Sequence, residues 1–185
     1  MSRRLAALVV LGLALTVAPG LASAPSAAER LVLTKPDVGA AYRFNAAFSQ
    51  PYSLKAAERN LSADVKRQLA HKWVAGAQSG FNGVGVRRNI VSTADVFRND
   101  QLDLIVGAFE RRYLMLSKGL LLPVPAGAPG KNQILIRGKM QSFVVLLYEW
   151  QHGRNVLSVW QFGPAARLKQ SELFALARRM DAKAR

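Results

Sequence analysis

Two apolar runs separated by a tight polar break constrain this chain more than any other feature. Residues 143–150 (Phe-Val-Val-Leu-Leu-Tyr-Glu-Trp) are apolar at nearly every position, and in residues 155–162 Val156, Ser158, Trp160 and Phe162 alternate with Leu157, Val159 and Gln161. Between them stands Gln151-His152-Gly153-Arg154. Runs of this length, rich in β-branched and aromatic residues and joined by a short glycine-bearing turn, predict a β-hairpin. A strand apolar at every position is expected to be covered on both faces, which places 143–150 at the centre of a sheet.

The remaining elements follow from period and punctuation. Residues 89–97 set Val91, Thr93, Asp95 and Phe97 against Ile90, Ser92, Ala94 and Val96, a strand alternation. Residues 133–137 read as another strand, with short extended pieces at 31–33 and 42–44, and the glycines of 76–85 read as a strand, a bulge or a tight turn. Leu102, Ile105, Val106, Phe109, Tyr113 and Leu116 recur at helical spacing, behind the capping candidates Asn99 and Asp100 and ahead of Gly119. Pro51 is expected to open helical character, with Ser53 and Ser62 as caps and Val65, Leu69 and Trp73 on one helical face. A last helix is expected over 168–182, with Leu173, Leu176, Ala177 and Met180 inward. Three prolines and two glycines within 123–130 forbid regular structure there. The order β–α–β–β–α–β–β–β–α predicts an α+β fold: an antiparallel sheet of about five or six strands packed by about three helices in two layers.

The amino terminus is a different kind of segment. Arg3 and Arg4 precede an apolar run over 5–18, ended by Pro19 and Gly20 and followed by small residues. This is the pattern of a Sec signal peptide. The run is about 14 residues, short of the roughly 20 that a spanning helix needs. Cleavage is expected after Ala24, within Ala22-Ser23-Ala24-Pro25, or after Ala28, which avoids a proline following the cut. Taking the boundary at 28, residues 1–28 form the signal peptide and 29–185 a single basic domain, with no transmembrane segment after cleavage. The product is secreted or held at the cell envelope.

Charge and composition narrow the chemistry. Cysteine is absent, which excludes disulfides and thiol catalysis. Lys and Arg number 26 against 11 Asp and Glu, a net charge of +15, and subtracting Arg3 and Arg4 leaves +13. Such a field attracts polyanions. For an exported domain these are anionic lipid headgroups or cell-wall polymers, and no nucleic-acid partner is expected. The arginine doublets Arg87-Arg88 and Arg111-Arg112 are the candidate binding residues, since guanidinium forks suit phosphate and carboxylate. His71 and His152 stand alone, short of a zinc ligand set, so no metal site is expected. Gly76-Ala77-Gln78-Ser79-Gly80 places its serine one position late for a nucleophile elbow. Gly80-Phe81-Asn82-Gly83-Val84-Gly85 lacks the order and context of a dinucleotide loop, so no cofactor is expected. Asp95 and Glu149, acids on otherwise apolar strands, are the candidates for a rival hydrolase reading; a small apolar-ligand carrier with an internal pocket is the other alternative. The main expectation is a non-enzymatic binding domain.

Several stretches carry a loose family likeness: residues 33–42 (Leu-Thr-Lys-Pro-Asp-Val-Gly-Ala-Ala-Tyr), residues 76–81, the strand 90–97 with the helix behind it, and the late hairpin with Trp150, Gly153, Arg154, Asn155 and Val156. In these the chain resembles a broad group of uncharacterised exported bacterial α+β proteins and lipoproteins, actinobacterial and Chloroflexi-like. That group's turn reads Arg-Gly-Asn-Val where this chain has Gly-Arg-Asn-Val. The resemblance implies an exported α+β domain and supplies no catalytic residues.

Overall fold

The computed structural model describes residues 25–140 and 142–185. The expected signal peptide lies, through residue 24, outside the described residues. The chain runs α1 (Ala27–Leu31), α2 (Lys35–Val38), β1 (Tyr42–Tyr52), α3 (Leu54–Ala57), α4 (Ala63–Lys72), β2 (Trp73–Gly83), β3 (Asn89–Phe97), α5 (Asp103–Ser117), β4 (Leu120–Leu121), β5 (Lys131–Met140), β6 (Phe143–His152), β7 (Asn155–Gly163), a 3-10 turn (Ala165–Arg167) and α6 (Gln170–Lys183). The strands form one sheet in the order β1-β2-β3-β7-β6-β5-β4, every neighbouring pair antiparallel.

The expected antiparallel α+β class holds, with more elements than expected: seven strands, and six α-helical segments among the described residues. The two-layer arrangement is corrected. Helices cover both faces, and each face has its own core. On one face α1 and α6 pack Ala28, Leu31, Leu173, Ala177 and Met180 against Leu146, Tyr148, Trp150, Leu157 and Val159. On the other, α4 and α5 pack Val65, Leu69, Ile105, Phe109 and Tyr113 against Ile134, Ile136, Leu147 and Val156. The reason lies in β6, which is buried over nearly its whole length and therefore needs apolar cover above and below. Among the described residues the buried side chains of both cores begin at Ala28, with Ala27 packed beside the first.

Three local expectations also change. Residues 31–33 form no strand. Ser26 and Glu29 make a reciprocal capping box that starts α1, so the segment enters as a helix across the sheet face. Leu33 then donates its N–H to Ser92 Oγ (3.0 Å) and accepts from Ser79 Oγ (2.7 Å), which satisfies two buried hydroxyls. Pro51 sits inside β1 rather than opening a helix. β1 pairs only with β2, and an edge strand tolerates a proline whose missing N–H faces away from the ladder. Trp73 begins β2 instead of extending the face of α4.

Candidate functional site

The alternation of β3 and β7 places Thr93, Asp95, Ser158 and Trp160 on the face covered by α5. Antiparallel register then aligns them. Gln50 faces Gln78, Gln78 faces Thr93, Thr93 faces Ser158, and Ser158 faces Glu149. This polar row crosses five strands. Thr93 and Ser158 hydroxyls are 2.6 Å apart, and Trp160 donates its indole N–H to Ser158 Oγ at 2.9 Å. One row along, Tyr52, Gly76 and Asp95 are aligned. Trp73 donates its indole N–H to Asp95 Oδ1 at 2.9 Å, and the Tyr52 hydroxyl also favours the charged form of that carboxylate.

From the other side α5 lowers Arg112 and Tyr113 toward this floor. Arg112 donates to the carbonyl of Ala57 (3.0 Å) and to Tyr113 Oη (3.1 Å), and its guanidinium stacks over the rings of Phe109 (4.6 Å) and Tyr113 (4.9 Å). The Tyr113 hydroxyl in turn favours the ionised form of Glu149. Among the described residues Arg112 forms no direct ion pair with either acid; it acts on them through space.

Burial raises the pKa of Asp95, against the hydrogen bonds of Trp73 and Tyr52 and the charge of Arg112. Burial pushes Glu149 up to about 8, a rise that Arg112 and Tyr113 restrain and Asp95 and Glu110 reinforce. Glu149 is fully buried and its Oε1 has no hydrogen-bond partner. An acid so placed favours its neutral form.

Beside this polar floor lies a half-open cleft of about 170 Å³. Val91, Phe109, Leu116, Met140, Trp160 and Phe162 supply an apolar lining, while Tyr52, Gln78, Thr93, Asp95 and Arg112 give it a hydrogen-bonding end. Glu149 sits beneath and does not line it. Among the described residues no group of three or more His, Asp or Glu side chains is placed to hold a metal ion, and no helix is long and apolar enough to cross a membrane.

The four candidate arginines do not converge. Arg87 is exposed in the β2–β3 connection. Arg88, next to it, donates to Tyr42 Oη (2.6 Å) and the carbonyl of Arg167 (3.0 Å) and pairs with Glu172, on the α6 side of the sheet. Arg111 is exposed on α5, and Arg112 turns into the cleft. Sequence reasoning singled out Asp95 and Glu149 but missed Tyr52, Trp73, Thr93, Tyr113 and Ser158. The strand alternation shows which of these share a face within one strand; the register that joins them is set between strands.

No protein-family model matches the chain, and no curated protein matches it. Among solved structures, the chain is similar to the extracellular domain of PknH from Mycobacterium tuberculosis, with a TM-score of 0.48 and 11% identity, over 87% of this chain and 97% of that one.

Proposed function

We propose that this chain is an exported binding domain whose cleft takes a small ligand with an apolar body and a hydrogen-bonding head. Export rests on the signal-peptide pattern of the amino terminus. The observation that carries the ligand reading is the cleft itself: an aromatic and aliphatic lining that closes at one end on Gln78, Thr93, Asp95 and Arg112. Binding sites of small molecules have this composition, a mostly apolar wall with a few convergent polar groups. The volume of about 170 Å³ suits a group of roughly one ring or a short acyl segment, since apolar cavities of about 150 Å³ accept benzene. The hydrolase reading has less support. Asp95 is already held by the Trp73 indole, and Glu149 does not line the cleft.

Titration of residues 25–185 with Nile red, a neutral dye that brightens in apolar surroundings, tests the reading. The expected result is saturable enhancement that short-chain amphiphiles compete away. Val91→Trp fills the cleft and is expected to weaken dye binding at least tenfold with the circular dichroism spectrum unchanged. Equal binding by a folded Val91→Trp protein would place the dye elsewhere and reject the cleft.

A further inference from the structure

From Arg111 to Tyr148 the sequence contains no Asp or Glu, while Arg111, Arg112, Lys118, Lys131, Arg137 and Lys139 all fall within that stretch. The fold gathers part of it at one edge of the sheet. The outer stripe of α5 carries Arg111, Met115 and Lys118 at helical spacing, all exposed. Lys118 takes a left-handed conformation (φ 45°) and turns the chain into β4. At Gly119 a Cβ would stand 2.6 Å from Ile136 Cγ2, so this turn lies directly on β5.

β4 is the terminal strand, two residues long, and both of its side chains are exposed: Leu120 at 73% and Leu121 at 53%, beside Met115 at 68%. Leu120 faces Arg137 across the ladder, and Lys139 follows Arg137 on the same exposed side. Arg111, Lys118, Arg137 and Lys139 form no ion pairs among the described residues. An edge strand with protruding leucines is a liability in water unless something covers it.

We propose that this edge seats the domain on an anionic lipid bilayer, with Met115, Leu120 and Leu121 entering the interface and Arg111, Lys118, Arg137 and Lys139 meeting headgroup phosphates. Charge complementarity selects this occupant. Exposed apolar side chains interspersed with cations, with no acid between Arg111 and Tyr148 although Glu110 precedes Arg111, are the composition that binds peripherally to anionic membranes. Among the described residues no helix is long and apolar enough to cross a membrane. Leu116, on the same last turn of α5, lines the cleft. The proposal stands whether or not the cleft holds a ligand. It retains Arg111 from the sequence candidates, while Arg88 is tied to Glu172 and Tyr42 on the other side.

The test is co-sedimentation of residues 25–185, which contain both cores, with vesicles of phosphatidylcholine alone and of phosphatidylcholine with phosphatidylglycerol, across a salt series. Retention is expected only on the anionic vesicles and is expected to weaken as salt rises. Leu120→Glu/Leu121→Glu and Lys118→Gln/Arg137→Gln/Lys139→Gln are each expected to lower retention at least tenfold. A control triple of exposed cations elsewhere, Arg43→Gln/Lys66→Gln/Arg87→Gln, removes the same charge and is expected to cost far less. Leu120→Trp reports insertion directly, with a blue-shifted emission that brominated lipid quenches. Equal loss in both triples would replace the proposal with diffuse charge attraction. Absence of retention would overturn it, as would a dimer in light scattering that Leu120→Glu/Leu121→Glu converts to monomer, since a second copy would then be the cover.

Discussion

The ring of Tyr52 occupies the space that a side chain at Gly76 would fill: a Cβ there would stand 2.3 Å from Tyr52 Cε2. Gly76 lies between Tyr52 and Asp95 in the same transverse row of the sheet, so its missing side chain is what lets the phenol reach the buried carboxylate. Gly76→Ala is expected to push the ring aside and cost about 1–3 kcal/mol, the usual penalty of overpacking a fitted site. Urea denaturation of the variant checks this. Adding Tyr52→Ala to Gly76→Ala should remove most of the Gly76-specific penalty, because the clash partner is then gone.

Glu149 makes stability fall as pH rises. Its carboxyl in the folded protein is lifted from the usual range to about 8. Between roughly 4.5 and 8 the folded chain therefore holds a proton that the unfolded chain has lost. The slope is at most about 1.4 kcal/mol per pH unit, vanishes at either side of that window, and is joined by a slope of the same sign from Asp95. Glu149→Gln mimics the neutral acid. Relative to the parent it is expected to gain stability progressively from pH 5 to 9, a trend that denaturation midpoints at three pH values would reveal. Parallel pH profiles of the two proteins would show that Glu149 does not hold its proton.

The two candidate signal-peptide cuts differ in their effect on α1. Starting the chain at residue 29 removes Ser26, the capping partner of Glu29, and Ala28, which is fully buried. Starting at residue 25 keeps both. The shorter chain is expected to be less stable by about 1–2 kcal/mol, the range of an N-cap loss. Thermal melts of the two purified forms measure the difference, and amino-terminal sequencing of the exported protein would show which form is made.

The doublet Arg87-Arg88 separates into a free and an engaged member. Arg88 is nearly covered, at 13% side-chain exposure, and bridges Tyr42, the Arg167 carbonyl and Glu172. Arg88→Gln is expected to cost about 1–3 kcal/mol, because it leaves a partly buried phenol and carbonyl without their donor. Arg87→Gln, at an exposed position, is expected to stay within about 0.5 kcal/mol of the parent. Chemical denaturation of the two single variants distinguishes them.

Where physical signals are local, the sequence was enough. Residues 89–97, the hairpin around Gly153 and the inward stripes of α5 and α6 follow from alternation at period 2 and at period 3.6, and the structure has them there except for Leu116 of the α5 stripe, which is exposed. The amino-terminal segment was misread because three apolar residues in a row look the same in a strand and in a helix that lies on a sheet. Pro51 was misread because proline is excluded from a strand only where a neighbouring strand faces its nitrogen, and β1 has a neighbour on one side alone.

The candidate site was half legible. Asp95 and Glu149 stand out in the sequence as acids among apolar residues, but nothing local says that Tyr52 and Trp73 reach the first, or that Tyr113 reaches the second. These partners lie on other elements, and strand register together with the seating of α5 brings them together. The sequence by itself determined the strand over 89–97, the late hairpin and the helices α5 and α6, with the face most of their side chains take, because those depend on neighbours a few residues away. The tertiary structure alone decided which helices cover each face of the sheet, that Glu149 is buried with an oxygen unpartnered, and that Leu120 and Leu121 protrude at an edge, because burial is a property of what packs from elsewhere in the chain.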